Sequence, residues 1–200
     1  MADATGEGYP LVLQSGADPS TLGGVAVCGL TTVGSVGVIA ASHLIASLGL
    51  KPMGTVIHPE FPAVALIQES VPKHPVRVYQ GEEMGVFISE IQFPQASDFQ
   101  FGNTVLEWFQ KGGFDRLVII DGLVSEDLGL KEDGDIWGVA SLQSGRDALD
   151  TVGIQRIQQG IVTGVSGFLL AEGERQGLDI TVLLAECNPV YPDCLLYTSD

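Results

Sequence analysis

Apolar residues gather in short runs divided by glycine and proline, and these runs alternate with stretches of helical period. Gly24–Cys28 is one such run. After the glycine-rich Gly29–Gly37, apolar residues recur at Val36, Ala40, Leu44 and Leu48, with Val33 and Ala41 beside them. That spacing predicts a helix to about Leu48, stopped by Gly49 and Pro52, with Met53–Ile57 as the next strand. The same grammar returns near the other end: a strand at Ile161–Thr163, a turn at Gly164, a helix over Val165–Gln176, a stop at Gly177 and a strand at Ile180–Ala185. Continuous rather than alternating apolar strands are those of a parallel sheet covered on both faces. Each copy reads as a strand–helix–parallel strand crossover.

Between the copies the chain is β-rich. Leu11–Gln14 is a possible first strand, and Ala63–Gln68, Val76–Gln80 and Gly85–Ile91 are further candidates, divided by Pro59, Pro62, Pro72, Pro75 and Gly81. His74–Tyr79 alternates, which suggests an edge strand or one with an exposed face. Asp98 is placed to cap a helix ending near Lys111, with Phe101, Val105, Phe109 and Trp108 towards the core. Leu117–Ile120, ending at Asp121-Gly122, is the clearest buried parallel strand. Ser125–Asp135 is an acidic loop, Ile136–Ser141 a short strand, and Ser144 the expected cap of a helix to Val152. The fold class is therefore α/β: a three-layer α/β/α sandwich with a mostly parallel central sheet. Residues 11–193 are expected to form a single domain behind a disordered N-terminus, residues 1–10.

Composition narrows the functions. The 200 residues hold 25 acidic and 9 basic side chains, a formal charge of −16, with no basic cluster, so nucleic acid is an unsuitable partner. No apolar run is long enough for a membrane span, and the polar, acidic N-terminus does not read as a secretory signal. A soluble cytoplasmic protein is expected. Three cysteines, Cys28, Cys187 and Cys194, lack metal-ligand spacing, and Cys28 and Cys187 fall at the ends of apolar strands as small hydrophobes. Cys194–Asp200 reads as the translation of a sequencing-library adapter. On that reading residues 194–200 are a non-native tail and the natural sequence is cut at or near Asp193.

Candidate chemistry is sparse. Gly29-x-x-x-x-Gly34-Ser35 has the glycine spacing of a phosphate loop but lacks its lysine. Gly29, Gly34, Ser35 and Gly37, with Gly164, Ser166 and Gly167 in the second copy, either present backbone N–H groups to an anion or let helices approach strands. Gly164-Val-Ser166-Gly167 is not a nucleophile elbow, and His43, His58 and His74 all precede it, so no hydrolase triad forms. His43 reads as a half-buried packing residue. Asp121 and Glu186 stand at the C-terminal ends of parallel strands, where open α/β sheets place ligand-binding groups, or else cap neighbouring helices. Among the basic residues only Arg146 and Arg156 fall near plausible loop positions. The acidic loop lacks the order of a calcium loop and is a solvated surface or a docking surface for a basic partner. No catalytic constellation, metal site or cofactor motif is found.

The chain also resembles the proteasome assembly chaperone family over roughly residues 20 to 193. The likeness is carried by Gly29–Gly37 opening the Ala-Ala-Ser-His-Leu-Ile helix, Met53–Ile57, Pro59-Glu60-Phe61-Pro62, Arg77-Val78-Tyr79 and Leu117–Gly122. It continues through the Gly160-x-x-x-Gly164-x-x-Gly167 turn, the strand ending Leu183-Leu184-Ala185-Glu186, and Pro189-x-x-Pro192-Asp193. The resemblance, closest in style to archaeal and actinobacterial members, implies a purine nucleoside phosphorylase-like sandwich. It implies a non-catalytic protein that oligomerises, as a homo-oligomer, and binds proteasome core α-subunits or a related partner. Some archaeal members dock through a C-terminal hydrophobic-Tyr-any tail, which a sequence cut at or near Asp193 cannot show. The alternative the same fold allows is a small-molecule enzyme binding nucleoside or phosphate through the glycine turns and Asp121 or Glu186.

Overall fold

In the computed structural model the described residues are 8–14, 23–124 and 134–187. The acidic stretch Ser125–Asp133 and the whole of Cys194–Asp200 lie outside them. Eleven strands are present among the described residues: β1 (Leu11–Leu13), β2 (Val25–Leu30), β3 (Lys51–Val56), β4 (Leu66–Gln68), β5 (Val71–Lys73), β6 (Val76–Gln80), β7 (Met84–Ser89), β8 (Arg116–Val124), β9 (Ile136–Ala140), β10 (Gln155–Arg156) and β11 (Ile180–Cys187). The helices are α1 (Val36–Ser47), α2 (Asp98–Lys111), α3 (Gln143–Thr151) and α4 (Gly164–Gln176). None is long and apolar enough to cross a membrane.

Nine strands form one sheet in the order β1-β3-β6-β7-β2-β8-β11-β9-β10. Its centre, β7-β2-β8-β11, is parallel throughout, and the flanking pairs β1–β3, β3–β6, β6–β7 and β11–β9 are antiparallel. The expected parallel sheet is thus its core, with antiparallel flanks. Alternation along the central strands sends side chains to two helical layers. Ala26, Cys28, Phe87, Leu117, Ile119 and Val182 pack with α2 and α4. Val27, Val86 and Ile88 pack with α1 on the opposite face, where Leu149 of α3 lies against Gly138 of β9. The three-layer arrangement follows.

Several local expectations are corrected. Ile161–Thr163 is not a strand: it runs as an exposed loop with Ile161 91% accessible, and β8 takes the place beside β11. An apolar triplet alone does not reveal whether a sheet position is vacant. β6 is not an edge but an interior strand between β3 and β7. Its alternating polar residue, Arg77, is buried and paired with Glu90, and it donates to the Tyr79 hydroxyl at 3.0 Å and the His74 carbonyl at 2.6 Å. Of Ala63–Gln68 only Leu66–Gln68 is a strand, and it pairs with β5 in a separate hairpin turned by Glu69 and Ser70 at positive φ.

The caps also differ from expectation. Asp98 lies inside the first turn of α2, which Ser97 precedes, and Ser144 lies inside α3, its hydroxyl donating to Asp179 at 2.9 Å. On α1, Leu48 is 54% exposed whereas Gly37, Ile39 and Ala41 are buried. That helix is apolar on almost every side, so periodicity could not choose its inner face. His43 is exposed rather than half-buried, 3.2 Å from the Ser47 hydroxyl.

Candidate functional site

The C-terminal ends of β2, β7 and β8 open into a cleft of about 1060 Å³, the place where open α/β sheets gather ligand-binding groups. One wall is the turn after β2. Thr31 is tied to the end of β7 by its N–H (3.0 Å) and hydroxyl (2.8 Å), both donating to the Ser89 carbonyl. Gly34 and Ser35 then take left-handed backbone angles (φ 65° and 54°), swinging the chain into α1. The opposite wall is the loop from Ile157 to Thr163, leading into α4 through Gly164 at φ 68°. Ile91, Phe93 and Phe101 close a third side.

The structure brings five sequence candidates to this cleft: Gly34, Ser35, Asp121, Gly164 and Ser166. Asp121 is held from both sides. One carboxylate oxygen accepts the Gly122 N–H at 2.8 Å and the other accepts the Ser166 hydroxyl at 2.6 Å. The bond joins β8 to the first turn of α4. Gly29, Gly37 and Gly167 instead serve packing. A Cβ on Gly29 would stand 2.2 Å from the Gly37 carbonyl oxygen, one on Gly37 2.4 Å from that of Ile120, and one on Gly167 2.2 Å from that of Val162. Glu186 is directed to the β9 side of β11, where its carboxylate accepts the Asp135 N–H at 3.2 Å.

The electrostatics of the cleft are one-sided. Asp98 and Asp121 line it, and among the described residues no lysine, arginine or histidine does. Desolvation raises the Asp98 carboxyl above its ordinary value. Cys28 is fully buried, and desolvation first, the charge of Asp121 second, push its thiol far above the usual range. Such a thiol is inert rather than nucleophilic. Arg146 donates to the carbonyls of Ala140 (2.9 Å) and Ser141 (3.0 Å), and Arg156 pairs with Asp150 at 2.9 Å, so neither serves the cleft. Among the described residues an anion here would meet carboxylates with no balancing cation. No cluster of metal-ligating side chains is present among the described residues. Sequence reasoning missed Asp98 as a cleft residue, because its position before a helical pattern read as a cap. It missed the Ile157–Thr163 wall because that segment carries no motif.

The sequence matches the PAC2 family over residues 26–195. No curated protein matches it. Among solved structures it is similar to Pyrococcus furiosus PbaA, an archaeal homolog of proteasome-assembly chaperone. That match has 26% identity and a TM-score of 0.83, covering 95% of this chain and 77% of the other. P. furiosus PbaB, an archaeal proteasome activator, shares the fold at 18% identity and a TM-score of 0.77, over 95% of this chain and 84% of the other. A Thermoplasma acidophilum protein of unknown function shares it at 24% identity and a TM-score of 0.78, over 88% and 72% respectively.

Proposed function

This chain belongs to the PAC2 family of proteasome assembly chaperones, and from that premise we propose that it is a chaperone-like factor that oligomerises and binds proteasome core subunits. The family is non-enzymatic, and the solved structures similar to this chain include an archaeal homolog of proteasome-assembly chaperone and an archaeal proteasome activator. The observation that carries the reading is the likeness to PbaA, which runs through 95% of the chain rather than one motif. A cleft lined by Asp98 and Asp121, with no basic side chain among the described residues, supports it against the phosphorylase-like alternative. Phosphate transfer calls for an arginine, lysine or histidine near the transferred group.

The test is to co-express the protein with proteasome α-subunits of the same source and analyse the mixture by size-exclusion chromatography with light scattering. Co-elution of an oligomer of this chain with α-subunits supports the reading. A protein that stays apart from α-subunits but binds inosine or inorganic phosphate in calorimetry would overturn it.

A further inference from the structure

The antiparallel neighbours β3 and β6 are joined through residues 57–75, where about two to five residues would close the pair. Within this excursion β4 and β5 form a hairpin that pairs with no other strand among the described residues. Its two-residue turn holds Glu69 and Ser70 at φ 51° and 65°, the left-handed geometry that suits a tight hairpin. Register sorts the side chains. Gln68 and Lys73 lie on one face, and Ile67 and Pro72, directly opposite each other, lie on the other. The polar face is the one turned to the body of the protein. Gln68 donates to Glu90 at 3.3 Å, the residue that pairs with buried Arg77, and Lys73 donates to Gln68 at 3.1 Å. Ile67, 68% exposed, and the exposed Pro72 look outward. This inverts the ordinary order, in which the solvated face of an antiparallel sheet is the polar one. Val64 and Val71, 46% and 53% exposed, widen the apolar surface. A two-stranded hairpin is marginal in water by itself, and an apolar patch of this kind marks a protein contact.

Charge identifies the occupant. Residues 61–73 hold one acidic side chain, Glu69, and one basic, Lys73, so the hairpin is neutral in a chain that carries −16. A second copy bears the same acidic excess, and like charges set against each other across an interface cost affinity. Copies of this chain therefore approach most closely where acidic groups are scarce. A basic partner would gain more from the acidic surface and has no cause to choose a neutral patch. We propose that the outward face of the β4–β5 hairpin is a self-association surface, with Ile67 as the anchor buried against a second copy of this chain. This inference rests on the oligomerising part of the function proposed above and names its surface.

The experiment follows the mass of the full chain by light scattering across a dilution series, for the parent protein, I67E and V152E. I67E is expected to raise the dissociation midpoint at least about tenfold, as loss of a buried anchor does. Val152, 67% exposed at the end of α3, is the control, and V152E should behave as the parent does. In the unaltered protein, hydrogen exchange over residues 64–73 should slow as concentration rises and the copies associate. An I67E protein with the parent's mass at every dilution overturns the hairpin assignment and leaves the chaperone reading standing. So does exchange over residues 64–73 that ignores association, a result that needs no variant. An I67E oligomer that no longer co-elutes with α-subunits also overturns it, making the hairpin a subunit-facing surface. A parent protein that is monomeric throughout overturns both this assignment and the oligomerising half of the proposed function, while co-elution with α-subunits tests the other half independently.

Discussion

The Ser166 hydroxyl donates to the Asp121 carboxylate at 2.6 Å, fastening the first turn of α4 to the end of β8 across 45 residues of sequence. Ser166 is 2% exposed, so water cannot replace the bond without local opening. Removing the hydroxyl in S166A should cost about 1.5–3 kcal/mol, the range for hydrogen bonds to charged groups. Urea denaturation should show a lowered midpoint with an unchanged slope. An unshifted midpoint would mean that the contact contributes nothing to folding.

The glycines divide into those required for space and those required for backbone angle. G29A would drive a Cβ to 2.2 Å from the Gly37 carbonyl oxygen and 2.5 Å from the Ala41 Cβ, separating α1 from β2. Overpacking of that kind costs about 3 kcal/mol. Gly164 has φ 68° but nothing nearer to a Cβ than an Asp98 oxygen at 3.8 Å, so G164A should cost about 1–2 kcal/mol from backbone strain alone. If G164A proves the more damaging of the two in thermal melts, the packing account of Gly29 is wrong.

Arg77 and Glu90 form an ion pair with side chains 8% and 16% exposed. R77M leaves Glu90 without its cation and should destabilise by about 3–5 kcal/mol. The double variant R77M/E90L removes both charges and should recover most of that loss. A double variant as unstable as R77M would assign the cost to lost packing and to the Tyr79 and His74 contacts rather than to a stranded charge.

Asp98 and Glu107, both on α2, should give opposite pH dependences. Desolvation raises the Asp98 pKa, so the folded state holds its proton more tightly than the unfolded chain does. Its contribution to stability is therefore greatest in acid and declines as pH rises from the ordinary aspartate value through the folded one. D98N should match the parent protein below that window and become the more stable above it. Glu107 has its pKa lowered, chiefly by the hydrogen bond from Lys111, so it stabilises above the ordinary glutamate value and that stability is lost as pH falls through the folded value. E107Q should lose stability at neutral pH, by a small amount because the side chain is 43% exposed. Melts across the acid range that place D98N below the parent at neutral pH would contradict the burial of that carboxylate.

The sequence revealed what burial dictates. Leu117–Ile120 and Ile180–Ala185 are unbroken apolar runs because neighbours cover both their faces, and both became central strands. Phe101, Val105, Trp108 and Phe109 lie on the inner face of α2 because that helix has a polar side to set them apart. α1 has none, and its orientation could not be read. β6 was misplaced because its alternation suggested an exposed face, whereas Arg77 is buried with Glu90 as its counter-charge and with the Tyr79 hydroxyl and His74 carbonyl as further partners. In the cleft, Asp121 was legible from its place at a strand end. Asp98 became a cleft residue only through the approach of Gly164, a tertiary contact that no local pattern encodes.

Val25 in β2 is paired with Arg116 in β8 on one side and with Met84 in β7 on the other. The middle of the sheet is therefore assembled from segments far apart along the chain, while the antiparallel flank β6–β7 can form locally. Loop-closure entropy must be met before the central pairings return any stability. Refolding is therefore expected to be limited by capture of β8 beside β2, with apolar β8 and β11 uncovered until then. Slow recovery of Trp108 fluorescence, with losses that grow with protein concentration, is the kinetic signature of that order of assembly.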